Sequence, residues 1–169
     1  MVVGSGEAKR LAAARFVLSS IRDPEIPTVC ILDMGMLHDA RVENGVLVVE
    51  LLPTFSGCPA VAVIESEVRT ALIEAGLDPL RVVMRLDLPW STSMITPEGT
   101  KSIARFGILP RVRPELQVEE IACPVCGSKT IALVSRFGPT PCRAIARCRA
   151  CGEPLEVFKP VGEVKSLRD

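Results

Sequence analysis

The sequence predicts an α+β fold, a small mixed or antiparallel sheet packed with helices and followed by a C-terminal zinc-ribbon-like β module. Three observations predict it. Apolar residues recur at helical spacing over 7–21 and 60–75, with short strand-like runs between and after them. Asn44-Gly45, flanked by apolar runs, is the strongest two-residue hairpin signal. Finally, Cys123-Pro124-Val125-Cys126-Gly127 and Cys148-Arg149-Ala150-Cys151-Gly152 form a pair of Cys-x-x-Cys-Gly units separated by residues 127–147. Such spacing brings four thiolates into tetrahedral geometry when the intervening chain folds back.

A chain of 169 residues, 48% hydrophobic, can build one modest core and a small metal-stapled module. The expected division is 1–108 for the first domain, 109–120 for a linker and 121–169 for the four-cysteine module. Zero formal net charge and a pI near 6.6 argue against a nucleic-acid partner, which needs a basic surface. With no Tyr and a single Trp there is no stacking platform either. The N-terminal residues lack the charged-then-apolar order of a signal peptide, and the run Val46 to Leu52, interrupted by Glu50, is too short to span a bilayer. Seven Cys with four in metal spacing fit a reducing compartment, so a cytoplasmic protein with no membrane partner is expected.

Glu7 to Ile21 reads as a helix with Leu11, Ala14, Arg15 and Leu18 in register, ending before Asp23-Pro24-Glu25-Ile26-Pro27, whose prolines cannot continue it. Val29 to Leu32 is a short strand candidate, and Asp33-Met34-Gly35 a turn. In the hairpin of Met36 to Glu43 with Val46 to Leu52, pairing Glu43 with Val46 puts His38, Ala40 and Val42 on one face with Leu47, Val49 and Leu51. The sole His is therefore expected at the end of the apolar row, partly buried and hydrogen-bonded. Asp39, Arg41, Glu43 and Glu50 form the solvent face.

Helix 60–75 packs Ile64, Val68 and Leu72 inward. Pro59 suits its first position and places Cys58 at the N-cap, where unpaired N–H groups and the helix dipole favour a thiolate able to act as nucleophile or metal ligand. The plainer alternative is a small capping residue that happens to be Cys. Arg81 to Leu88 is a strand, Trp90 lies in a loop expected to fold over a core edge, and Thr96-Pro97-Glu98 opens a last short helix. Thr130 to Ser135, Arg143 to Arg147 and Leu155 to Lys159 are the ribbon strands.

Zinc is the usual occupant of a closed four-thiolate site, and iron or a cluster is chemically compatible with Cys123, Cys126, Cys148 and Cys151. Lys129, Arg136, Arg143, Arg147, Arg149 and Lys159 outnumber Glu153 and Glu156 and can offset the charge of four thiolates. Cys142 is either a packed core thiol or an extra ligand of that site.

Asp23-Pro24-Glu25-Ile26-Pro27, Asp33-Met34-Gly35-Met36, the Asn44-Gly45 hairpin, Ser56-Gly57-Cys58-Pro59 and Pro89-Trp90-Ser91 resemble, in order and spacing, iron-sulfur assembly factors of the SufT and cytosolic-targeting type, over residues 8–108. With Ser135-Arg136-Phe137-Gly138, Cys142, Glu153-Pro154 and Phe158-Lys159 added, the whole chain is similar to the PaaD family, encoded with the phenylacetyl-CoA ring epoxidase. The resemblance implies a non-catalytic accessory or maturation subunit in aerobic phenylacetate degradation, assisting assembly or delivery of iron-sulfur or di-iron centres. It implies Cys58 as the cluster-handling thiol, Asp23, Glu25 and Asp33 as accompanying acids, and transient iron or an iron-sulfur cluster as cargo. Expected partners are the other epoxidase subunits including the reductase, the iron-sulfur assembly machinery and a second copy of the chain. The alternative is a purely structural adaptor subunit with a structural zinc ribbon. Leu88 stands where relatives often have Pro, and Pro160 where a further Cys is expected.

Overall fold

A computed structural model describes residues 5–55, 57–110 and 121–160. The elements in chain order are α1 (Ser5–Ser20), β1 (Leu37–Glu43), β2 (Val46–Leu51), α2 (Ala60–Glu74), β3 (Leu80–Met84), a 3₁₀ turn (Thr92–Met94), α3 (Pro97–Arg105), β4 (Ile108–Leu109), β5 (Ile131–Ser135), β6 (Arg143–Cys148) and β7 (Pro154–Phe158). The first sheet has the order β1-β2-β3, antiparallel across the hairpin and parallel between β2 and β3, so it is mixed. A parallel neighbour needs a crossover, and α2 supplies it. Ala14 and Leu18 of α1, Ile64, Val68 and Leu72 of α2, and Leu47, Val49 and Leu51 of β2 share one core. Arg10 fastens α1 to the two turns beside it, donating to the Gly45, Leu77 and Pro79 carbonyls at 2.6, 2.6 and 2.8 Å.

The opposite sheet face is the polar one the alternation predicts. Glu50, only 9% exposed, sits between Arg41 at 3.2 Å and Arg85 at 2.9 Å. Arg41 also pairs with Asp39 and Glu43, and Arg85 with Asp87.

Local departures from expectation have identifiable causes. Val29 to Leu32 is not a strand. Cys30 makes only an isolated bridge with Arg22, and the chain then turns, with Met34 N–H donating to the Cys30 carbonyl at 2.9 Å. A short buried apolar run looks the same to sequence pattern whether it is strand or packed loop. β3 stops at Met84 rather than Leu88 because β2 ends at Leu51; Arg85 N–H makes the last bond to the Leu51 carbonyl at 2.8 Å. In the hairpin Val42 faces Leu47 and Ala40 faces Val49 as expected, but the register shifts between Leu37 and Asp39. Leu37 therefore takes the place opposite Leu51, and His38 is exposed instead of closing the apolar row. An extra residue in one strand reverses which face the following side chain takes.

The ribbon is not a separate bead. Its sheet has the order β4-β7-β6-β5, and β4 brings Ile108 and Leu109, which straddle the expected domain boundary, into parallel pairing with Glu156 and Val157. Residues 111–120 of the expected linker lie outside the described residues. The knuckle end has its own small core around Cys123, Ile131, Cys148 and Leu155. The other end does not: Cys142 and Phe158 are buried in the core of the first domain. Trp90 meets Phe158 edge-on, with centroids 6.3 Å apart, and its Nε1–H donates to the Met34 carbonyl at 3.0 Å. Among the described residues no helix is long and apolar enough to cross a membrane.

Candidate metal centre

The sulfurs of Cys123, Cys126, Cys148 and Cys151 all lie within 4.8 Å of one another, with Cys123 and Cys151 separated by 3.8 Å and Cys126 and Cys148 by 3.6 Å. A tetrahedral four-thiolate zinc with bonds of about 2.3 Å puts its sulfurs about 3.8 Å apart, so the thiols fit such an ion as they stand. Each knuckle closes with the glycine N–H donating to the carbonyl of the first Cys, Gly127 to Cys123 at 2.8 Å and Gly152 to Cys148 at 2.9 Å. Both glycines have positive φ, 73° and 82°, a conformation that a residue without a Cβ adopts freely. Cys123 and Cys148 are buried, Cys126 and Cys151 exposed.

The clustered thiols also influence one another's ionisation. Backbone N–H groups of Cys151 and Ala150 hold the Cys148 thiol down to about 6. Cys151 is pushed up to about 12; the Glu153 N–H favours its thiolate, but local desolvation and hydrogen bonds with the Cys126, Cys148 and Cys123 sulfurs outweigh it. Four sulfurs this close cannot all carry negative charge without a cation among them, and a dication resolves the conflict.

Cys142 is not an extra ligand of this centre. It immediately precedes β6, whose other end carries Cys148, and six residues of strand span about 20 Å. Its side chain is 7% exposed, its sulfur lies 3.2 Å from Thr140 Oγ1, and its carbonyl accepts from the Lys159 N–H at 2.8 Å. Burial pushes its thiol pKa up, opposed by the Thr140 hydroxyl and the Arg143 charge.

Cys58 is half-buried and packs against the core that contains Cys142. It stands one residue before the expected position, because the N-cap of α2 is Pro59, with φ −63° and ψ −23° already helical. Proline fixes φ near the helical value, so the turn tightens one residue later than its missing N–H suggests. Cys58 N–H donates to the Phe55 carbonyl at 3.1 Å, and its own carbonyl accepts from Val61 at 3.2 Å.

The acids divide. Asp23 is buried, and its Oδ1 accepts from the Glu25 and Ile26 N–H groups at 2.8 and 2.9 Å; burial raises its pKa against those bonds. Glu25 contributes its backbone, since its carbonyl accepts from Arg143 Nη2 across the module boundary. The contacts of Asp33 run to α3 instead: Thr96 Oγ1 donates to it at 2.8 Å, and the Cys30 thiol lies at 3.1 Å.

Arg143 is the residue that reading the sequence missed, since it counted only as one of several ribbon cations. It is 7% exposed, pairs through Nη1 with Glu156 at 2.9 Å, and lies 5.5 Å from the Phe106 ring centroid. Its Nε has no hydrogen-bond partner among the described residues. No local pattern marks it, because its burial comes from the first domain rather than from its own strand. Beside it a groove of about 430 Å³ runs between Phe55 and the loop 137–141, with Lys159 at its edge. Phe137, 85% exposed, carries the Lys159 ammonium 5.8 Å from its ring centroid. Gly138 lies so close to the Arg143 backbone that a Cβ would come within 2.8 Å of its carbonyl carbon.

Residues 11–83 match the family described as iron-sulfur cluster assembly protein, and residues 110–159 the family described as PaaD zinc beta ribbon domain. The class is thereby defined: an iron-sulfur-assembly-type α+β domain joined to a four-cysteine ribbon. A protein of Escherichia coli (strain K12), named as a subunit of a "Putative 1,2-phenylacetyl-CoA epoxidase", is 37% identical over 146 residues, covering 85% of this chain and 88% of the relative. The chain belongs to the family of that epoxidase subunit, and its ribbon is the PaaD ribbon. Among solved structures, a domain of unknown function, DUF59, from Bacillus anthracis superposes with a TM-score of 0.54 at 22% identity, over 59% of this chain and 95% of that one, and shares the fold of the first module. A Mycobacterium tuberculosis protein described as associated with Fe-S complex assembly and repair gives a TM-score of 0.37 at 28% identity, over 64% and 95% of the two chains.

Proposed function

We propose that this protein is a non-catalytic accessory subunit of a phenylacetyl-CoA epoxidase system, assisting assembly or delivery of an iron or iron-sulfur centre to epoxidase or reductase subunits in aerobic phenylacetate degradation. The observation that carries the reading is the placement of Cys58: a half-exposed thiol in the loop ahead of α2, in an iron-sulfur-assembly-type domain, beside a ribbon docked on the same core. A thiol so placed can take a soft metal from a donor and release it to an acceptor by ligand exchange. Cys123, Cys126, Cys148 and Cys151 would hold zinc, which supplies folding free energy to a module too small to stand on its own core. The kinship to a named epoxidase subunit supports epoxidase components as partners, and the first domain supports contact with iron-sulfur assembly proteins.

The test is loading of the apo-reductase or apo-oxygenase with iron and sulfide, with wild type beside Cys58→Ser. Wild type is expected to accelerate cofactor incorporation and the variant to lose that acceleration; equal loading by the variant overturns the reading. The exposed apolar side chains Leu133, Val134 and Phe137 on the ribbon favour a second reading, that of a structural adaptor. It predicts co-purification with oxygenase subunits at a fixed ratio that Cys58→Ser leaves unchanged.

A further inference from the structure

The groove beside Phe55 exists only because the ribbon is docked: one wall belongs to the first domain, the other is the loop 137–141 between β5 and β6, and Lys159 closes the edge. Its volume of about 430 Å³ falls within the range of about 300–1,000 Å³ usual for binding sites. The exposed aromatic in it is held in place. Ser135 Oγ accepts from the Phe137 N–H and donates to the Phe137 carbonyl, both at 3.0 Å. Gly138 is pressed onto the Arg143 backbone, and the Arg143 N–H donates to the Thr140 carbonyl at 3.1 Å. A large apolar side chain already fixed in solvent loses little entropy when a partner covers it, so its burial goes into binding. Lys159 supplies the charge. Its Nζ donates to the Pro141 carbonyl at 2.9 Å and lies over the Phe137 ring. Yet among the described residues no ion pair uses Lys159, or Arg136 next to Phe137.

We propose that this inter-module groove is the docking site for the client subunit, and that it takes an extended segment presenting a large apolar side chain to Phe55 and Phe137 and a carboxylate to Lys159. This rests on the accessory-subunit reading and deepens it by naming the surface and the chemistry of the partner. That chemistry follows from the lining. Phe55, Phe137, Pro139 and Pro141 offer apolar contact, and the one charged group is a cation with no carboxylate of its own, so an acidic segment is attracted and a basic one repelled. A second copy of the chain fits less well, because symmetric pairing across the groove sets Arg136 and Lys159 against their own equivalents. The position follows from the backbone. Cys58 N–H donates to the Phe55 carbonyl at 3.1 Å, so a segment seated on Phe55 lies against the turn that carries the cargo thiol. Because the ribbon forms the other wall, a client is held there only while the two modules are packed together.

The experiment titrates the zinc-loaded full chain with each purified oxygenase and reductase subunit of the epoxidase system, at low and high salt. The chains compared are wild type, Phe137→Ala, Lys159→Glu and, away from the groove, Val63→Ala on the exposed face of α2. One subunit is expected to bind wild type and Val63→Ala alike. It is expected to bind Phe137→Ala about thirtyfold more weakly, and Lys159→Glu about tenfold more weakly with a reduced salt dependence. Phe137 is exposed, so its truncation leaves the fold in place, with zinc content and melting temperature as controls. Wild-type affinity in both groove variants overturns the proposal, as does equal weakening in Val63→Ala or the failure of wild type to bind any subunit. Sedimentation tests the other occupant: a wild-type dimer that Phe137→Ala dissociates assigns the groove to a second copy and overturns the client site. Cofactor loading by Cys58→Ser is read in parallel. Binding lost in Phe137→Ala with full loading by Cys58→Ser keeps the groove and removes the cargo thiol; unchanged binding in the groove variants with loading lost in Cys58→Ser does the reverse.

Discussion

The β6 region carries two cysteines whose surroundings have almost nothing in common. At Cys148 the chain closes a local thiol cage from knuckles whose glycines and N–H groups are all within a few residues of the sulfurs. At Cys142, about 20 Å away along the strand, the burial comes instead from the core of the first domain, whose residues lie far along the sequence. One strand can therefore end in a site fixed by local chemistry and begin in one fixed by docking. A metal holds the first end and apolar burial the second.

Withdrawing the metal is expected to separate the two ends most severely. Structural zinc in small modules is worth about 10–16 kcal/mol at neutral pH, so a strong chelator, or Cys148→Ser, is expected to abolish amide-exchange protection in β5 and β6 around the knuckles. Ribbon protection that survives zinc removal would mean the knuckle end is held by packing as well. The docking end responds to a different change. Phe158→Ala is expected to cost about 3–5 kcal/mol in urea denaturation while zinc content stays at the wild-type value, because Phe158 fills the first domain's core against Trp90. Loss of zinc in that variant would show that the two ends are coupled.

Asp23 gives a smaller effect with a definite sign. Its folded-state pKa is raised, chiefly by burial, so the folded protein keeps a proton that the unfolded chain releases above about pH 3.9. Its favourable contribution is therefore complete below that pH and is lost as pH rises through the folded value. Asp23→Asn keeps the Oδ1 acceptor for the Glu25 and Ile26 N–H groups and removes the charge. The variant is expected to flatten the decline in stability on the alkaline side of that window and to be at least as stable as wild type at neutral pH; a less stable variant at neutral pH would mean that Arg143 compensates the charge fully. His38→Ala should do least, within about 0.5 kcal/mol in the same denaturation measurement, since the bulge leaves His38 exposed.

The features legible in the sequence alone are those that short-range chemistry sets. The hairpin follows from Asn44-Gly45, whose Asn44 and Gly45 take φ of 50° and 80°, and the four-thiol cage follows from Cys-x-x-Cys-Gly spacing, because in both cases the groups that set the geometry lie next to each other in the chain. Helix α2 was legible for the same reason, since its apolar face of Ile64, Val68 and Leu72 repeats at a period the backbone enforces, and α1 from an Ala-rich run free of internal Pro. Tertiary packing, by contrast, set where Cys142, Arg143 and the acids stand. Arg143 is charged and sits in a basic segment, yet it is buried because Glu25, Phe106 and Glu156 arrive around it from three other parts of the chain. Likewise the place of His38 turned on a bulge of one residue, and the fate of Val29 to Leu32 on whether a neighbouring strand was there to pair with it. Burial and pairing depend on partners distant in sequence, and no local pattern carries that information.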